Sequence, residues 1–340
     1  MEERKSGVRP VFLIKAKNIP EAWEKAMELV WNQGTSRETQ YDKIGNPPSS
    51  DGGVLIQVIN PYNQPRFHRA FADGLGGVAE YVQEVVNGAH DYWLRSSESI
   101  QEEIRTGKKL DTKWIYTYHK RLFEHTYNDE SGKTQKIDQI EISLAQRLAR
   151  DPHTRRAQAI TWVPSIDSFL EDPPCLQRIW ARIFEDPKGK KYLNMDTFWR
   201  SRDLFKAWFE NAIALTTLQA RLAARISELR GEEILVGAYT DFSDSLHIYG
   251  SYFHEIEGDP EKGVKNFFEN LVSRPFASDD ISSGASRTYT SEQVREFFIN
   301  DGLGKGLEPM LAREKEKMPL DVQEKIRKDL ENLRNGIYIP

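Results

Sequence analysis

The chain has 340 residues, 39% hydrophobic and 11% aromatic, which is enough apolar material for one large folded body or for a body with an appendage. Forty-seven basic residues stand against 52 acidic ones, a net charge of −5, so no long-range field favours DNA or an anionic membrane, and any phosphate binding has to be local. No apolar run approaches the roughly 20 residues of a membrane span, and MEERKSGVRPVFLIKAKN lacks the features of a secretory leader, so we expect a cytoplasmic protein.

In chain order, the pattern predicts a strand from Val11 to Lys17 and a helix from Pro20 to about Asn32, with proline at its first position and Gly34 beyond its end. The polar stretch GTSRETQYDKIGNPPSSDGG, which holds Arg37 and Lys43, is too long for a simple connector and reads as a functional or disordered loop. Val54 to Ile59 reads as a buried strand, and a helix from about Val78 to Val86 stops at Gly88. A second polar loop, NDESGKTQ, precedes a helix from about Lys136 to Arg150. RAQAITWVP, LQRIWARIF and YLNMDTFWRS read as strands separated by turn chemistry such as EDPKGKK.

A long helix from Asp203 to about Leu229 follows, then strands in EILVGAYTDF and SLHIYGSYF. From about Pro260 the chain reads helical and strongly charged, and the alternating charge suggests a solvated face. This order predicts an α/β (α+β) layered fold with one large mixed sheet packed by long helices, residues 1–258 forming the main domain and 259–340 a charged helical extension packed on it.

A single cysteine, Cys175, excludes an internal disulfide and argues against a thiolate metal site, so no metal is expected. Three segments gather anion-binding groups around it: DPHTRRA at 151–157, DPPCLQRIW at 172–180 and WRSRDLFKAWFENAIAL at 199–215. Arg155 and Arg156 suit a phosphate, because guanidinium forks give bidentate and permanently charged contacts. His247 and Tyr249, two apart on a strand, share a face.

Together these segments resemble the thymidylate synthase family, especially its archaeal-type branch and hydroxymethylase relatives, over roughly residues 110–255. Arg156 and Cys175 lie nineteen positions apart, the family spacing. The RS-x-D signature falls on Arg200, Ser201 and Asp203, the family asparagine on Asn211, and the H-x-Y ending on His247 and Tyr249. Tyr116 with Arg121, and IDQI at 137–140, fit upstream.

The resemblance implies that Cys175 attacks carbon 6 of a pyrimidine nucleoside monophosphate, so that the one-carbon unit of 5,10-methylenetetrahydrofolate joins carbon 5. It assigns the phosphate to Arg155, Arg156, Arg200, Ser201 and Arg37, with Arg200 also lowering the thiol pKa. The base falls to Asn211, the ribose 3′-hydroxyl to His247 and Tyr249, and the pterin to Asp203, which otherwise caps the long helix. Tyr116 and either Glu80 or Glu84 would order the water that takes up the carbon-5 proton. In the family both arginines serve the partner subunit's phosphate, which implies a homodimer.

Some positions depart from the pattern. Leu176 replaces a histidine, Trp199 a glutamine and Ser245 an aspartate, Glu210 stands where the family is apolar, and NLRNGIYIP lacks a recognisable folate-closing segment. Asn211 favours methylation of dUMP. Hydroxymethylation of CMP or dCMP, with water replacing hydride and Lys133 near the ribose, stays open, as does a silent relative that binds nucleotide or RNA.

Overall fold

A computed structural model describes residues 8–42, 45–71, 73–108, 112–254, 259–277, 285–299 and 307–335, which leaves Lys43 and the last five residues outside it. In chain order the elements are β1 (Val11–Ala16), α1 (Ile19–Gln33), β2 (Thr35–Arg37), β3 (Ser49–Val58), α2 (Gly74–Asn87), α3 (Ser97–Thr106), α4 (Tyr118–Phe123), β4 (His125–Asn128) and β5 (Thr134–Ile137). A π-helical turn (Ile140–Ala145) then leads into α5 (Gln146–Arg150), followed by β6 (Gln158–Ile160), α6 (Pro164–Asp167), β7 (Leu176–Glu185), β8 (Lys191–Trp199) and β9 (Arg202–Asp203). The chain continues with α7 (Trp208–Arg230), β10 (Ile234–Ile248), α8 (Val264–Asn266), α9 (Ser291–Glu296), α10 (Glu308–Glu314) and α11 (Leu320–Arg334).

Eight strands form one mixed sheet, ordered β1-β3-β10-β8-β7-β6, with β2 paired to β3 and β9 to β10. β1 runs parallel to β3 and β9 parallel to β10, while β3 pairs antiparallel with β10 and β6 with β7. The α/β class with one large mixed sheet is as expected. Contacts divide the chain into two units, Met1–Gly74, Phe198–Ala212 and Ala238–Val294 in the first, and Leu75–Thr197, Ile213–Gly237 and Arg295–Pro340 in the second.

In the first unit, Asn18 caps α1 by accepting from the Glu21 N–H at 3.0 Å, and Pro20 lies in the first turn. The buried side of α1 carries Trp23, whose indole donates to the Leu204 carbonyl at 2.8 Å. Its ring meets His68, Phe205, Phe209 and Phe267 at centroid distances between 5.1 and 6.0 Å, each pair contributing about 0.5–1.5 kcal/mol beyond burial. On β10, Tyr239, Asp241 and Ser243 face inward. Asp241 pairs with Arg202 at 2.7 Å, the two side chains 0% and 1% exposed, and Arg202 also lies 4.2 Å over Trp199. Trp208 donates to Asp241 at 3.1 Å. Burial pushes the Asp241 carboxyl up, and the Arg202 guanidinium opposes it.

In the second unit, Arg121 forms a buried pair with Asp167 at 2.8 Å, and the Gln139 amide donates to the carbonyls of Arg121 and Ile160, each at 2.8 Å. Asp329 on α11 pairs with Arg221 of α7 and accepts from Gln83 and Asn87 of α2 at 3.2 and 2.9 Å. α11 therefore turns one charge inward along with Val322, Ile326, Leu330 and Leu333.

Several element bounds differ from the sequence expectation. NDESGKTQ overlaps the β4–β5 hairpin, so Lys136 lies on a strand and the helix begins only at Ile140. The loop expected around Arg37 contains β2, because its backbone finds partners along β3. The last two strands are one, β10, whose pairing with β3 shifts between Ser243 and Leu246. The long helix starts at Trp208 rather than Asp203, since β9 pairs Arg202 and Asp203 with β10 and residues 204–207 form a turn.

Arg202→Met leaves the Asp241 carboxylate buried without its counter-charge and is expected to cost about 3–5 kcal/mol in urea unfolding. Adding Asp241→Leu should restore most of that loss, whereas a cost under about 1 kcal/mol for the single variant would show that the pair is energetically idle.

Candidate active site

Cys175 occupies the bend ahead of β7, half-buried between the buried residues Pro174 and Leu176. The N–H of Leu176 donates to the Tyr118 hydroxyl at 3.3 Å, which ties the bend to the first turn of α4. Burial pushes the Tyr118 phenol well above its usual value, with Tyr116, Cys175 and Tyr81 adding to the effect. At neutral pH such a phenol keeps its proton, so it offers a hydrogen-bond donor and no charge to repel a thiolate.

Tyr81, Glu84, Lys113, Trp114, Tyr116 and Asp172 are among the residues lining a cavity of about 350 Å³ in this second unit, to which Tyr118 also contributes. The volume suits one flat heterocycle, and aromatic walls with a few polar groups are the usual form of such sites. The choice between the two glutamates is visible in their contacts. Glu84 lines the cavity and meets His90 Nδ1 at 3.0 Å, whereas Glu80 turns to Arg313 at 3.5 Å. Arg155 and Arg156 lie exposed in the loop before β6, so the opposite-face argument for strand neighbours does not apply to them. The Arg155 carbonyl accepts from the Trp180 indole at 3.0 Å, and the Arg156 N–H donates to Thr154 Oγ1 at 3.3 Å.

A separate group forms in the first unit. β9 pairs Arg202 with Leu246 and Asp203 with His247, and β3 pairs Asp51 with His247. Asp203 Oδ1 accepts from the N–H groups of Phe205 and Lys206 at 2.9 and 3.0 Å, so it caps the turn before α7 rather than the helix itself. Burial raises its pKa against the pull of those bonds and of His247. The rings of His247 and Tyr249 meet at 4.5 Å. Directly after them, a Cβ at Gly250 would stand 1.6 Å from the Pro47 carbonyl, an approach only glycine permits.

Ser245 donates to Asp51 Oδ2 at 3.0 Å and lies 3.4 Å from His247 Nδ1, so where the resemblance expects an aspartate a serine stands with a carboxylate behind it. His247 Nε2 and Asp51 Oδ1 are buried with no hydrogen-bond partner among the described residues. A buried orphan of this kind costs about 1–3 kcal/mol, which a ligand hydroxyl would relieve.

Arg200 and Ser201 sit half-buried in the turn between β8 and β9. Asn211 and its neighbour Glu210 are buried in the first turn of α7, and Arg37 is exposed on β2. Sequence reasoning missed Tyr81, Tyr118, His90 and Asp51. Tyr118 stands two residues past Tyr116, and Tyr81 three before Glu84 on one helix face, which were usable signals. Asp51 had none, because only strand register brings it to His247. Among the described residues no group of three or more His, Cys, Asp or Glu is placed to hold a metal, and no helix is long and apolar enough to cross a membrane.

No family model matches the chain. It is 27% identical over 248 residues to a curated protein of Methanosarcina acetivorans named putative thymidylate synthase, spanning 72% of this chain and 93% of that protein. A protein of the same name from Methanosarcina mazei is 26% identical over 246 residues, with the same coverage of both chains. One from Methanopyrus kandleri is 36% identical over 105 residues, 31% of this chain and 48% of that protein. Among solved structures, a thermostable thymidylate synthase A from Bacillus subtilis gives a TM-score of 0.47 at 16% identity, covering 68% of this chain and 80% of its own.

Tyr118→Phe removes the oxygen that accepts from Leu176. Loss of a hydrogen bond of about 1 kcal/mol should open the bend and speed iodoacetamide alkylation of Cys175 about fivefold. An unchanged alkylation rate would show that Tyr118 does not hold the thiol.

Proposed function

We infer that this chain, a member of the thymidylate synthase family by its likeness to the archaeal proteins, transfers a one-carbon unit to carbon 5 of a pyrimidine nucleoside monophosphate through a Cys175 adduct at carbon 6. The observation that carries this is a half-buried single thiol near Tyr118, whose phenol burial keeps protonated, in the unit whose cavity also holds Glu84. A soft thiolate adds to an electron-poor ring carbon without a dedicated base.

In this reading Tyr116 and Tyr118 donate hydrogen bonds near the thiol, and Glu84 orders the water that receives the carbon-5 proton. Asn211 reads the O4 and N3–H edge of uracil, which favours dUMP and a methyl product. His247, with its orphaned Nε2, and Tyr249 bind the sugar hydroxyl. Arg37, Arg200 and Ser201 hold the phosphate. The exposed Arg155 and Arg156 reach the phosphate in a second copy of the chain, making a homodimer.

5,10-methylenetetrahydrofolate supplies the carbon and, for methylation, the hydride. Asp203 takes its pterin N–H groups. Residues 1–258 carry this chemistry, with 259–340 as an elaboration, in a cytoplasmic enzyme. A second reading, hydroxymethylation of CMP or dCMP, is favoured by Glu210, a carboxylate buried beside Asn211 where a cytosine amino group would need an acceptor.

Incubation with labelled methylenetetrahydrofolate and each of dUMP, dCMP, UMP and CMP separates the two, because dihydrofolate absorbance appears only when hydride is transferred. Cys175→Ser should abolish carbon-5 tritium release yet leave nucleotide affinity within about threefold. Unchanged release would refute the nucleophile. Glu84→Gln should slow release about a hundredfold, with Glu80→Gln staying within about twofold, and the reverse order would transfer the proton-handling role to Glu80.

A further inference from the structure

The role of Glu84 rests on the function just proposed, and the structure holds a second ionisable residue directly behind it. α2 ends in a glycine-terminated turn. The Gly88 N–H bonds the Glu84 carbonyl at 3.2 Å, and the Ala89 N–H bonds the Gln83 carbonyl at 3.3 Å. Gly88 has φ +72°, and a Cβ there would stand 2.4 Å from His119 Nδ1, so only glycine closes the helix at this point. The reversal brings His90 back over the last turn, with Nδ1 3.0 Å from Glu84 Oε2 and the two side chains 20% and 17% exposed. The His90 ring meets Trp114 edge-on at 5.6 Å, and Trp114 and Glu84 line the same cavity.

We propose that His90 is a positioning residue for the reaction, donating from Nδ1 as an imidazolium to hold the Glu84 carboxylate in the one orientation in which it orders water for the departing carbon-5 proton. The carboxylates facing His90 are Glu84 and Glu80 on α2 and Glu314 on α10. Arg313 pairs with Glu80 at 3.5 Å and with Glu314 at 2.7 Å, and Tyr92 donates to Glu314, so both of those are engaged elsewhere. Glu84 alone forms a hydrogen bond with the ring. That bond is the largest influence on His90 and burial opposes it, leaving its pKa above the usual imidazole value. The charged bond is therefore present below that raised pKa and lost as pH climbs through it.

The test uses three full-length chains, wild type, His90→Gln and Glu84→Gln. NMR titration with ¹³C-labelled histidine should find His90, identified by its absence from His90→Gln, titrating above about 6.5 in the wild type. In Glu84→Gln, where burial acts with the main partner gone, it should titrate lower than in the wild type. Carbon-5 tritium release against pH should show a basic limb at the His90 pKa in the wild type.

In His90→Gln, kcat should fall about tenfold with the nucleotide KM within about twofold, and the limb should vanish. A purely structural role would lower activity at every pH and leave the limb in place. An unmoved His90 pKa in Glu84→Gln, or a wild-type limb in His90→Gln, overturns this role while the enzymatic reading stands. Absence of tritium release by the wild type from any of the four nucleotides overturns both.

Discussion

The arrangement of the first unit depends on one irregularity in β10. Up to Ser243 the strand pairs with β3 so that Tyr239, Asp241 and Ser243 face the core, and from Leu246 the register has moved so that Leu246 and Ile248 take that face. Side chains alternate with a period of two, and an extra residue transfers every later position to the opposite side. His247 thereby leaves the side of the Arg202–Asp241 pair and joins Ser245, across from Asp51 of β3 and Asp203 of β9. An unbroken strand would send the histidine into the core among Trp199, Trp208 and a buried ion pair, with no ligand within reach.

The second unit solves a related problem with a helix end. α2 carries Tyr81 and Glu84 on one side and stops where a left-handed glycine folds the chain back. The Tyr118 phenol near the thiol is kept neutral by burial, and Glu84 has an imidazole for company. Ionised acids beside a thiol raise its pKa, whereas a neutral phenol adds no such repulsion. Arg37, Arg155 and Arg156 are exposed, in a chain whose net charge of −5 supplies no long-range attraction for an anion.

Much of this was legible beforehand where a local rule controls the outcome. Proline at the start of α1, Gly88 at the end of α2 and the β-branched and aromatic residues of β7 each act within a few residues, and the elements fall close to where those signals lie. Legibility failed where a distant partner intervened. NDESGKTQ looks like a plain loop, but its flanks pair as β4 and β5, so Lys136 became strand. Asp203 looks like the cap of a long helix, yet β10 claims it as β9 and the helix waits until Trp208. Glu80 and Glu84 are indistinguishable by spacing, and Arg313, more than two hundred residues on, separates them.

The residue types and their order, one thiol nineteen positions after a paired arginine, an RS-x-D turn, an asparagine in a long helix and an H-x-Y strand end, were determined by the sequence alone, and with them the family resemblance and the class of chemistry to look for. Which glutamate faces the cavity, which tyrosine ties down the bend at Cys175 and which carboxylate backs the histidine were decided only by tertiary structure. The reason is physical. Nucleophile and ligand types are properties of single side chains, while orientation and protonation depend on neighbours that strand register and helix ends bring together from far apart in the chain.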